Sequence, residues 1–368
     1  MKQKILLVSS EFPPGPGGIG HHAWFLAKQL AKNPNLRLHV IAPDDYTSIE
    51  ERNIFDAAQP FEVFRFERRG RLTYLLRVLK LVKLCRAHQY THLWASGKFS
   101  LWMICIQKLF LRKAKTLCIL HGSEVNLRNG LIRKFTHNSI SQFQTIISVS
   151  KFTESLLPQW ILNTHNSLIV IPNGLDSSDL ELSGNVDLLG SPALLTVGHV
   201  SARKGQHRMI QALPAVLKKL PHAMYHIVGR PLDQKKLMQQ AMALGVADKV
   251  LFHGIIYEHS KLWDYYKAAD VFILLSENQP NGDVEGFGIV ALEANAVGTP
   301  VIGAKYCGVE EAVKEKKSGV LVDGNNDEEI VQAIDYCMKN QKSLNLYSQE
   351  WAQSHDWDII GKRFLELI

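Results

Sequence analysis

The chain has 368 residues, of which 46% are hydrophobic and 21% charged, with 25 glycines and 14 prolines. This composition excludes an intrinsically disordered or fibrous protein, and the length is typical of two domains. Residues 1–175 contain 23 Lys and Arg against 10 Asp and Glu, whereas residues 176–368 contain 19 against 25. The two halves therefore carry net charges of opposite sign. Either the first half faces an anionic surface or ligand, or its exterior is simply basic.

Cysteine usage and hydropathy indicate a soluble protein of a reducing compartment. The five cysteines form no C-x-x-C pair and no regular spacing, which does not fit a disulfide scaffold or a zinc ribbon. The N-terminal sequence MKQKILLVSS has an apolar core of only four residues, too short for a signal peptide. Because no apolar run reaches the ~18 residues of a membrane-spanning helix, we predict a cytoplasmic protein.

Short apolar runs alternate with longer amphipathic stretches along the chain. In the first half, strands are predicted at Lys4–Ser9, Leu38–Ala42, Thr91–Trp94, Leu117–Leu120, Thr145–Val149 and Leu168–Ile171. In the second half, they are predicted at Ala193–Val197, Met224–Val228, Val250–Phe252, Val271–Leu275, Pro300–Ile302 and Gly319–Val322. The alternation predicts two doubly wound α/β domains with a linker near residues 172–192. Ligands bind such folds at the carboxyl ends of strands, so the cleft between the domains is the expected site.

A glycine-rich loop follows the first predicted strand. Gly15, Gly17 and Gly20 spell G-x-G-x-x-G, and Asp44 and Asp45 follow the next strand, where a dinucleotide fold holds the ribose. A nicotinamide-dependent oxidoreductase is therefore one alternative. Against it, the strand ends several residues before the first glycine, and a proline inside the loop removes an N–H donor. The loop does support close approach to a phosphate at a helix N-terminus, unless it is only a flexible connection.

The second half combines cations, carboxylates and glycines. Arg203 and Lys204 lie in a loop after a predicted strand, a placement that suits a diphosphate or a solvated turn. Glu285 lies in a glycine-containing loop, and Glu293 follows eight residues later on a largely apolar helix. An unpaired carboxylate on such a helix is costly, which favours a functional role. The two carboxylates could accept hydrogen bonds from vicinal diols, while backbone N–H groups hold phosphate or sugar oxygens.

Together these motifs resemble the retaining glycosyltransferases of family four, which have the GT-B fold of two Rossmann-like domains facing a central cleft. The most specific part is the E-x7-E motif from Glu285 to Glu293, followed by GTPVIG. Supporting motifs are GGI at Gly17–Ile19, HGSE at His121–Glu124, VSKFTESLL at Val149–Leu157, VIPNGLD at Val170–Asp176, RKG at Arg203–Gly205 and the run from His253 to Ser276. The resemblance covers essentially the whole chain. It looks closest to bacterial mannosyltransferases that use GDP-mannose on lipid or glycan acceptors.

The resemblance implies a role for each matching residue. Glu293 would hold the ribose hydroxyls, and Glu285 the hydroxyls of the donor sugar. Arg203 and Lys204 would neutralise the diphosphate, and His121 would lie near the transferred sugar. The other binding positions would be Gly17, Gly18, Gly286, Phe287, Gly288, Ile289 and His199, with the base met by the segment after Gly254.

The resemblance also implies domain bounds and the absence of a cofactor. Residues 1–172 would bind the acceptor, residues 192–349 would bind the nucleotide sugar, and a helix at about 350–368 would pack back on the first domain. The expected donor is GDP- or UDP-linked and is a substrate. No D-x-D triplet accompanies the phosphate residues, so no metal ion is expected. Many members have Arg where this chain has His199, whose charge depends on pH; a non-catalytic sugar-nucleotide-binding protein is therefore a second alternative.

A basic and apolar segment is a candidate membrane surface. Residues Arg65–Arg86 contain eight Arg or Lys and one Glu, with Arg77, Lys80 and Lys83 spaced three apart beside a broad face of leucines. Such a helix can dock on anionic lipid, or it can pack on the sheet with its basic side chains in water. The expected partners are thus a nucleotide sugar, a glycan or lipid-linked acceptor and an anionic inner membrane surface, without nucleic acid.

Overall fold

The computed structural model describes residues 3–15, 17–44, 48–66, 73–108, 113–165, 167–178, 180–184 and 186–368. The chain forms two compact units. The first comprises Met1–Gly174 together with Trp357–Ile368, and the second comprises Leu175–Asp356.

The first unit is a parallel sheet with helices in its connections. Its strands are β1 (Gln3–Ser9), β2 (Leu36–Pro43), β3 (Glu62–Phe66), β4 (His92–Ser96), β5 (Lys115–Leu120), β6 (Thr145–Ser148) and β7 (Leu168–Val170). Its helices are α1 (Gly18–Ala31), α2 (Ile49–Ala57), α3 (Thr73–His88), α4 (Lys98–Lys108), α5 (Gly130–Ile140), α6 (Lys151–Ser155), α7 (Gln159–Thr164) and, at the end of the chain, α15 (Trp357–Leu365). The strand order is β3-β2-β1-β4-β5-β6-β7.

The second unit repeats the same plan. Its strands are β8 (Ala193–Val197), β9 (Met224–Val228), β10 (Val250–Gly254), β11 (Val271–Leu274), β12 (Val301–Ala304) and β13 (Gly319–Val322). Its helices are α8 (Gln206–Lys219), α9 (Gln234–Ala243), α10 (His259–Ala268), α11 (Ile289–Ala296), α12 (Val309–Ala312), α13 (Asp327–Lys339) and α14 (Gln341–Gln353). The order β10-β9-β8-β11-β12-β13 is that of a Rossmann fold. Two doubly wound α/β units confirm the predicted fold class.

Burial explains why the apolar runs form strands. Ile5 to Val8 of β1 are at most 1% exposed, as a parallel strand covered on both faces requires. The same holds for β8, all five residues of which are buried. The sequence prediction missed β3, because this edge strand reads EVFRF and is only partly buried. Periodicity alone does not separate such a strand from a loop.

The end of the chain differs from the single helix expected over residues 350–368. It forms two helices, of which α14 packs on α11 in the second unit and α15 packs on α1 in the first. Between them the chain turns, and the His355 carbonyl accepts a hydrogen bond of 2.8 Å from Leu175 N–H. Trp357, at the start of α15, is 2% exposed. Its indole packs on Gly174, where an added Cβ would lie 2.5 Å from the ring. The break in the helix is therefore stabilised by contacts within each unit.

The proposed basic stripe on α3 was predicted wrongly in one position. Arg77 is buried, with its guanidinium 5.9 Å from the Phe66 ring and 5.4 Å from the Phe99 ring. The planar guanidinium stacks on aromatic rings and leaves water at low cost, whereas Lys80 and Lys83 stay exposed. Residues 67–72 of the predicted segment lie outside the described ranges. Within those ranges, no helix combines the length and hydropathy needed to cross a bilayer.

Candidate active site

The loop after β8 brings two cations to the carboxyl edge of the second sheet. Gly198 and Gly205 have φ angles of 140° and 75°. A Cβ at Gly205 would lie 1.8 Å from the Leu275 carbonyl oxygen, so only glycine lets the loop pass this close to the end of β11. Arg203 and Lys204 belong to the short 3-10 helix between the two glycines.

Arg203 and Lys204 converge on one carboxylate. Glu285 Oε2 lies 2.8 Å from Lys204 Nζ and also contacts Arg203 Nη1. Arg203 Nε lies 3.1 Å from Asp283 Oδ2. The side chains of Lys204 and Glu285 are only 10% and 12% exposed, so this pair is largely removed from water. The structure thus brings together three predicted site residues and adds Asp283, which was not predicted.

The charges in this cluster fix each other's ionisation. Burial alone would raise the pKa of Glu285, but the charges of Lys204 and Arg203 and their hydrogen bonds hold it below the usual value of 4.5. Burial would lower the pKa of Arg203, and the carboxylates of Glu285 and Asp283 raise it instead. The cluster therefore keeps both signs of charge at neutral pH, ready to exchange partners with an anionic ligand.

The cluster lies where the strand order of the second sheet reverses. β8 pairs with β9 on one side and with β11 on the other. The loop of Arg203 leaves β8, and the loop that leads to Glu285 leaves β11, so both start at the same carboxyl edge. The two loops are joined by a hydrogen bond of 2.9 Å from Glu277 N–H to the Arg203 carbonyl. Open α/β sheets bind ligands at such a switch point.

A tight turn connects Glu285 to α11. The turn consists of Gly286, Phe287 and Gly288, with Ile289 as the first helical residue. Gly288 has φ 86°, and no side chain caps this helix N-terminus. Gly308 N–H donates to the Glu285 carbonyl at 2.9 Å, and a Cβ at Gly308 would lie 2.1 Å from the Gly286 carbonyl oxygen. The turn is thus held by close backbone packing, which leaves helix N–H groups for oxygen ligands.

Glu293 lies on the helix as predicted, but its partner comes from another element. Ala291, Leu292, Ala294 and Asn295 are buried, which confirms the largely buried helix. Tyr266 of α10, 1% exposed, donates its Oη hydrogen bond to Glu293 Oε2 at 2.5 Å. Burial, together with the charge of Glu293 and this hydrogen bond, raises the pKa of Tyr266 well above its usual value. Tyr266 therefore orients the carboxylate, and ribose binding by Glu293 stays a prediction.

His199 and the segment after Gly254 lie at the same carboxyl edge. His199 follows β8, and Gln206 Nε2 donates to its carbonyl at 3.0 Å. Much of its side chain faces solvent, yet burial of the rest and the charges of Lys204 and Arg203 lower its pKa. His199 is therefore neutral at physiological pH and adds no permanent charge. Beyond Gly254, which ends β10 with φ 71°, Tyr257 is 88% exposed.

The first unit places His121 in a buried polar cluster at the carboxyl ends of β4 and β5. His121 Nε2 is 2.9 Å from Ser96 Oγ, and its ring lies 5.0 Å from that of His22. Burial lowers the pKa of His121 to about 3, so the ring is neutral. Glu124 accepts a hydrogen bond of 2.5 Å from His121 N–H, and burial raises its pKa to about 7. A neutral imidazole can donate to or accept from a sugar hydroxyl.

The glycine loop of the first unit differs from a dinucleotide-binding loop. Gly17, with φ 137°, packs against Glu11, whose Oε2 lies 2.1 Å from the position of a Cβ. Gly18 is exposed, and within the described residues no atom lies within 4 Å of its Cβ position. Asp44 forms an ion pair with Arg52, so the carboxylate that an oxidoreductase would need for ribose is already paired. Asp45 lies outside the described residues.

Two family models cover most of the chain. Residues 16–179 match Glycosyltransferase Family 4, and residues 185–353 match Glycosyl transferases group 1. Each half of the chain thus matches a glycosyltransferase model, and the protein is a glycosyltransferase. The assignment confirms the predicted enzyme class, and it removes the oxidoreductase alternative. In the parts of the chain that the structure describes, no group of three or more His, Cys, Asp or Glu could hold a metal ion.

Relatives of this glycosyltransferase match over nearly its full length. The GDP-mannose-dependent alpha-(1-6)-phosphatidylinositol monomannoside mannosyltransferase of Mycobacterium tuberculosis is 25% identical over 99% of this chain and 98% of its own. The enzyme of the same name from Mycolicibacterium smegmatis is 26% identical over the same shares. Among solved structures, Anabaena HepE in complex with UDP has a TM-score of 0.78 at 21% identity, covering 99% of both chains. Sucrose-phosphate synthase from Thermosynechococcus elongatus has a TM-score of 0.77 at 21% identity, covering 99% of this chain and 98% of its own.

Several residues of the two sites were missed from the sequence. They are Asp283, Tyr266, Ser96, His22 and Glu124. Glu124 lies inside the HGSE motif, so its carboxylate beside a histidine was a readable signal. Ser96 and Tyr266 carry no such signal, because each reaches its partner only through strand or helix packing.

Proposed function

We propose that this glycosyltransferase moves a hexose, with retention of configuration, from a nucleotide-diphosphate sugar to a hydroxyl of a glycan or lipid-linked acceptor. The cluster of Arg203, Lys204 and Glu285 at the switch point of the second sheet carries this proposal. Two largely buried cations beside a helix N-terminus suit a diphosphate, and the adjacent carboxylate suits sugar hydroxyls. GDP-mannose is the favoured donor, because the full-length relatives are GDP-mannose-dependent enzymes.

Transfer breaks the bond between the anomeric carbon and the diphosphate oxygen, and the electron pair leaves with the phosphate. Arg203 and Lys204 would stabilise the negative charge that grows on this oxygen. This attraction lowers the barrier because it is stronger in the transition state than in the bound substrate. The acceptor oxygen then bonds to the anomeric carbon, and its proton passes to the leaving phosphate. In this scheme the two fixed cations supply the positive charge, without a metal ion or cofactor.

Glu285 fits a role in holding the donor sugar rather than in attacking it. A carboxylate paired with two cations is a weak nucleophile, and the pKa of Glu285 below 4.5 reflects that pairing. Its oxygens can instead accept hydrogen bonds from sugar hydroxyls while the cations turn to the diphosphate. Predicted contacts of Gly18 and His121 with the donor remain part of this proposal.

We further propose that the enzyme works at an anionic membrane surface on the cytoplasmic side. Leu76 and Leu79 of α3 are 45% and 56% exposed, next to exposed Lys80 and Lys83. Large apolar side chains beside lysines suit the headgroup region of an anionic bilayer. Because Arg77 is buried, this surface of α3 presents two of the three predicted cations, Lys80 and Lys83.

A donor and nucleotide panel tests the enzyme proposal. GDP should raise the melting temperature more than UDP, ADP or NAD, since a ligand of the folded state stabilises it. Transfer from GDP-mannose should slow by about 10²–10³-fold in Lys204→Ala and stay at the wild-type rate in Lys218→Ala, which changes an exposed lysine of α8. NMR of the product gives the anomeric configuration. Stabilisation by GDP without transfer to any acceptor would favour the non-catalytic alternative, and inversion would overturn retention.

A further inference from the structure

A shallow basic pocket lies on the outside of the first unit, where α5 meets the start of α7. Its volume is about 490 Å³. It is lined by Gly130, Arg133, Lys134, His137, Asn138 and Trp160. The pocket thus combines two permanent cations from one helix with an indole ring from another, and none of these residues belongs to the predicted active site.

Exposed apolar side chains lie on α5 between the residues that line the pocket in the sequence, and Trp160 of the lining is itself exposed. Leu131, Ile132 and Phe135 of α5 are 83%, 41% and 53% exposed, and Trp160 is 46% exposed. The opposite side of α5 is anchored to the unit, because Trp102 Nε1 donates to Thr136 Oγ1 at 3.1 Å. The exposed apolar side chains are therefore held outward by the packing of the helix. A cluster of this kind on an exposed face marks an interaction site.

The sequence around α5 contains few acidic residues. Residues 68–153 contain sixteen Lys and Arg and one acidic residue, Glu124, and Glu154 of α6 follows directly after them. Glu124 is 4% exposed and bonded to the backbone of His121. Among the described residues, neither Arg133 nor Lys134 forms an ion pair. The Asn129 side chain caps the N-terminus of α5, and Arg133 and Lys134 supply the positive charge of the pocket.

The pocket and the candidate membrane surface on α3 belong to helices of the same unit. α4 packs against both α3 and α5, so the three helices lie side by side on the same unit. Aromatic rings link them, with Phe99 6.3 Å from Trp102 and Trp102 5.5 Å from Phe135. Lys98 Nζ lies 5.9 Å from the Trp102 ring. These rings pack α4 against its two neighbours, so α3 and α5 are held on either side of α4.

We propose that the pocket binds the phosphate of an anionic phospholipid headgroup and docks the first unit on the bilayer. Arg133 and Lys134 contact the phosphate, Trp160 lies at the headgroup level, and Leu131 and Phe135 enter the acyl boundary. The inference rests on the proposed membrane role of the enzyme, and it moves the main lipid contact from α3 to α5. Each cation near an anionic surface strengthens binding about fivefold, so Arg133 and Lys134 together contribute about 25-fold.

Vesicle co-sedimentation of the full chain tests the proposal. The probes are phosphatidylcholine vesicles with and without phosphatidylglycerol. The double variant Arg133→Gln, Lys134→Gln should bind the anionic vesicles about 25-fold more weakly. Leu131→Ser with Phe135→Ser should also weaken binding. The control Lys218→Gln, made in the second unit, should bind as the wild type does.

Three outcomes would overturn the proposal. They are equal binding of the wild type to both vesicle types, wild-type vesicle binding by both α5 variants, and loss of binding on replacement of Lys80 and Lys83 alone. Inorganic phosphate, compared with chloride at equal ionic strength, distinguishes a free-phosphate site. If inorganic phosphate displaces the protein from the vesicles while the Leu131 and Phe135 variant binds them normally, the pocket binds free phosphate and not a lipid headgroup.

Transfer to a water-soluble acceptor separates this inference from the proposed function. The α5 variants should keep wild-type turnover on that acceptor, because the pocket lies outside the predicted catalytic residues. Reduced turnover together with reduced vesicle binding would place α5 in the acceptor site and overturn a docking role. If the wild type transfers no sugar, the proposed function fails, while the vesicle assay still decides the role of the pocket.

Discussion

Replacing Glu285 by glutamine removes one negative charge from the charge cluster and keeps the shape of the side chain. In the wild type, Glu285 Oε2 pairs with Lys204 Nζ at 2.8 Å and with Arg203 Nη1. In the variant both cations face a neutral amide, and only Arg203 retains a carboxylate, that of Asp283 at 3.1 Å. The variant therefore changes the stability of the fold, the affinity for the diphosphate and the rate of transfer, each for a different reason.

The expected loss of stability follows from burial. Removing one partner of a fully buried ion pair costs about 3–5 kcal/mol. Arg203 is 21% exposed and keeps Asp283, so we expect the free energy of unfolding to fall by about 2 kcal/mol. Because the folded-state pKa of Glu285 is below 4.5, this stabilisation is present above that pH and is lost as the pH falls through the folded-state pKa. Wild type and variant should therefore converge in acid.

Ligand binding and catalysis should move in opposite directions. The carboxylate competes with the diphosphate for Arg203 and Lys204, so Glu285→Gln should bind GDP about tenfold more tightly, which corresponds to ~1.4 kcal/mol. Turnover should fall about ten- to a hundred-fold, because a charge-assisted hydrogen bond to the sugar is worth about 1.5–3 kcal/mol.

Urea unfolding, calorimetry with GDP and initial rates measure the three effects. Asp335→Asn is the matched control, since it breaks an exposed ion pair with Lys339 that is worth less than about 1 kcal/mol. Weaker GDP binding by Glu285→Gln with unchanged turnover would refute the reasoning, because the carboxylate would then contact the nucleotide and not the sugar.

Other predictions address single parts of the second unit. Glu293→Gln should weaken GDP binding about ten- to a hundred-fold in calorimetry; unchanged affinity would remove Glu293 from the site. Lys204→Ala should lower kcat about 10²–10³-fold, and a wild-type kcat/KM would contradict its role. His226 Nε2 bonds to the Leu189 carbonyl at 2.7 Å, and His226 Nδ1 lies 2.9 Å from His253 Nε2. Burial lowers the pKa of both rings, so the free energy of unfolding should decline as the pH falls below 6.5 through the folded-state pKa values. A urea midpoint that stays constant over this pH range would contradict the role of the two histidines.

Strands of the two sheets were predictable because parallel strands must be apolar on both faces. β1 and β8 are continuous apolar runs, and both were located within a residue or two. β3 was missed, because charged residues interrupt its apolar run: Glu62 is exposed at the edge of the sheet, and Arg65 pairs with Asp56. The turn between α14 and α15 was also missed. It depends on a hydrogen bond between Leu175 and His355, which are far apart in the sequence.

The placement of the proposed site residues in the fold was predictable one by one, but their contacts were not. Arg203 and Glu285 each follow a strand, which places both at a carboxyl edge. Their direct contact depends on β8 lying beside β11, and a list of strands does not state the order of the sheet. The burial of Arg77 was not predictable either, since its position in the sequence indicates a solvent-facing helix residue. Only the placement of Phe66 and Phe99 explains why the guanidinium is buried.

The two units hold positive charge in different surroundings, so the two proposed ligands should respond differently to salt. In the second unit, Arg203 and Lys204 already face a carboxylate, so a diphosphate exchanges with a partner that is largely removed from water. In the first unit, Arg133 and Lys134 are exposed, and their attraction to a surface acts through solvent. Salt screens exposed charges beyond a Debye length of about 8 Å and screens buried pairs much less. Added salt should therefore release the protein from anionic vesicles at concentrations that leave most of its affinity for GDP intact.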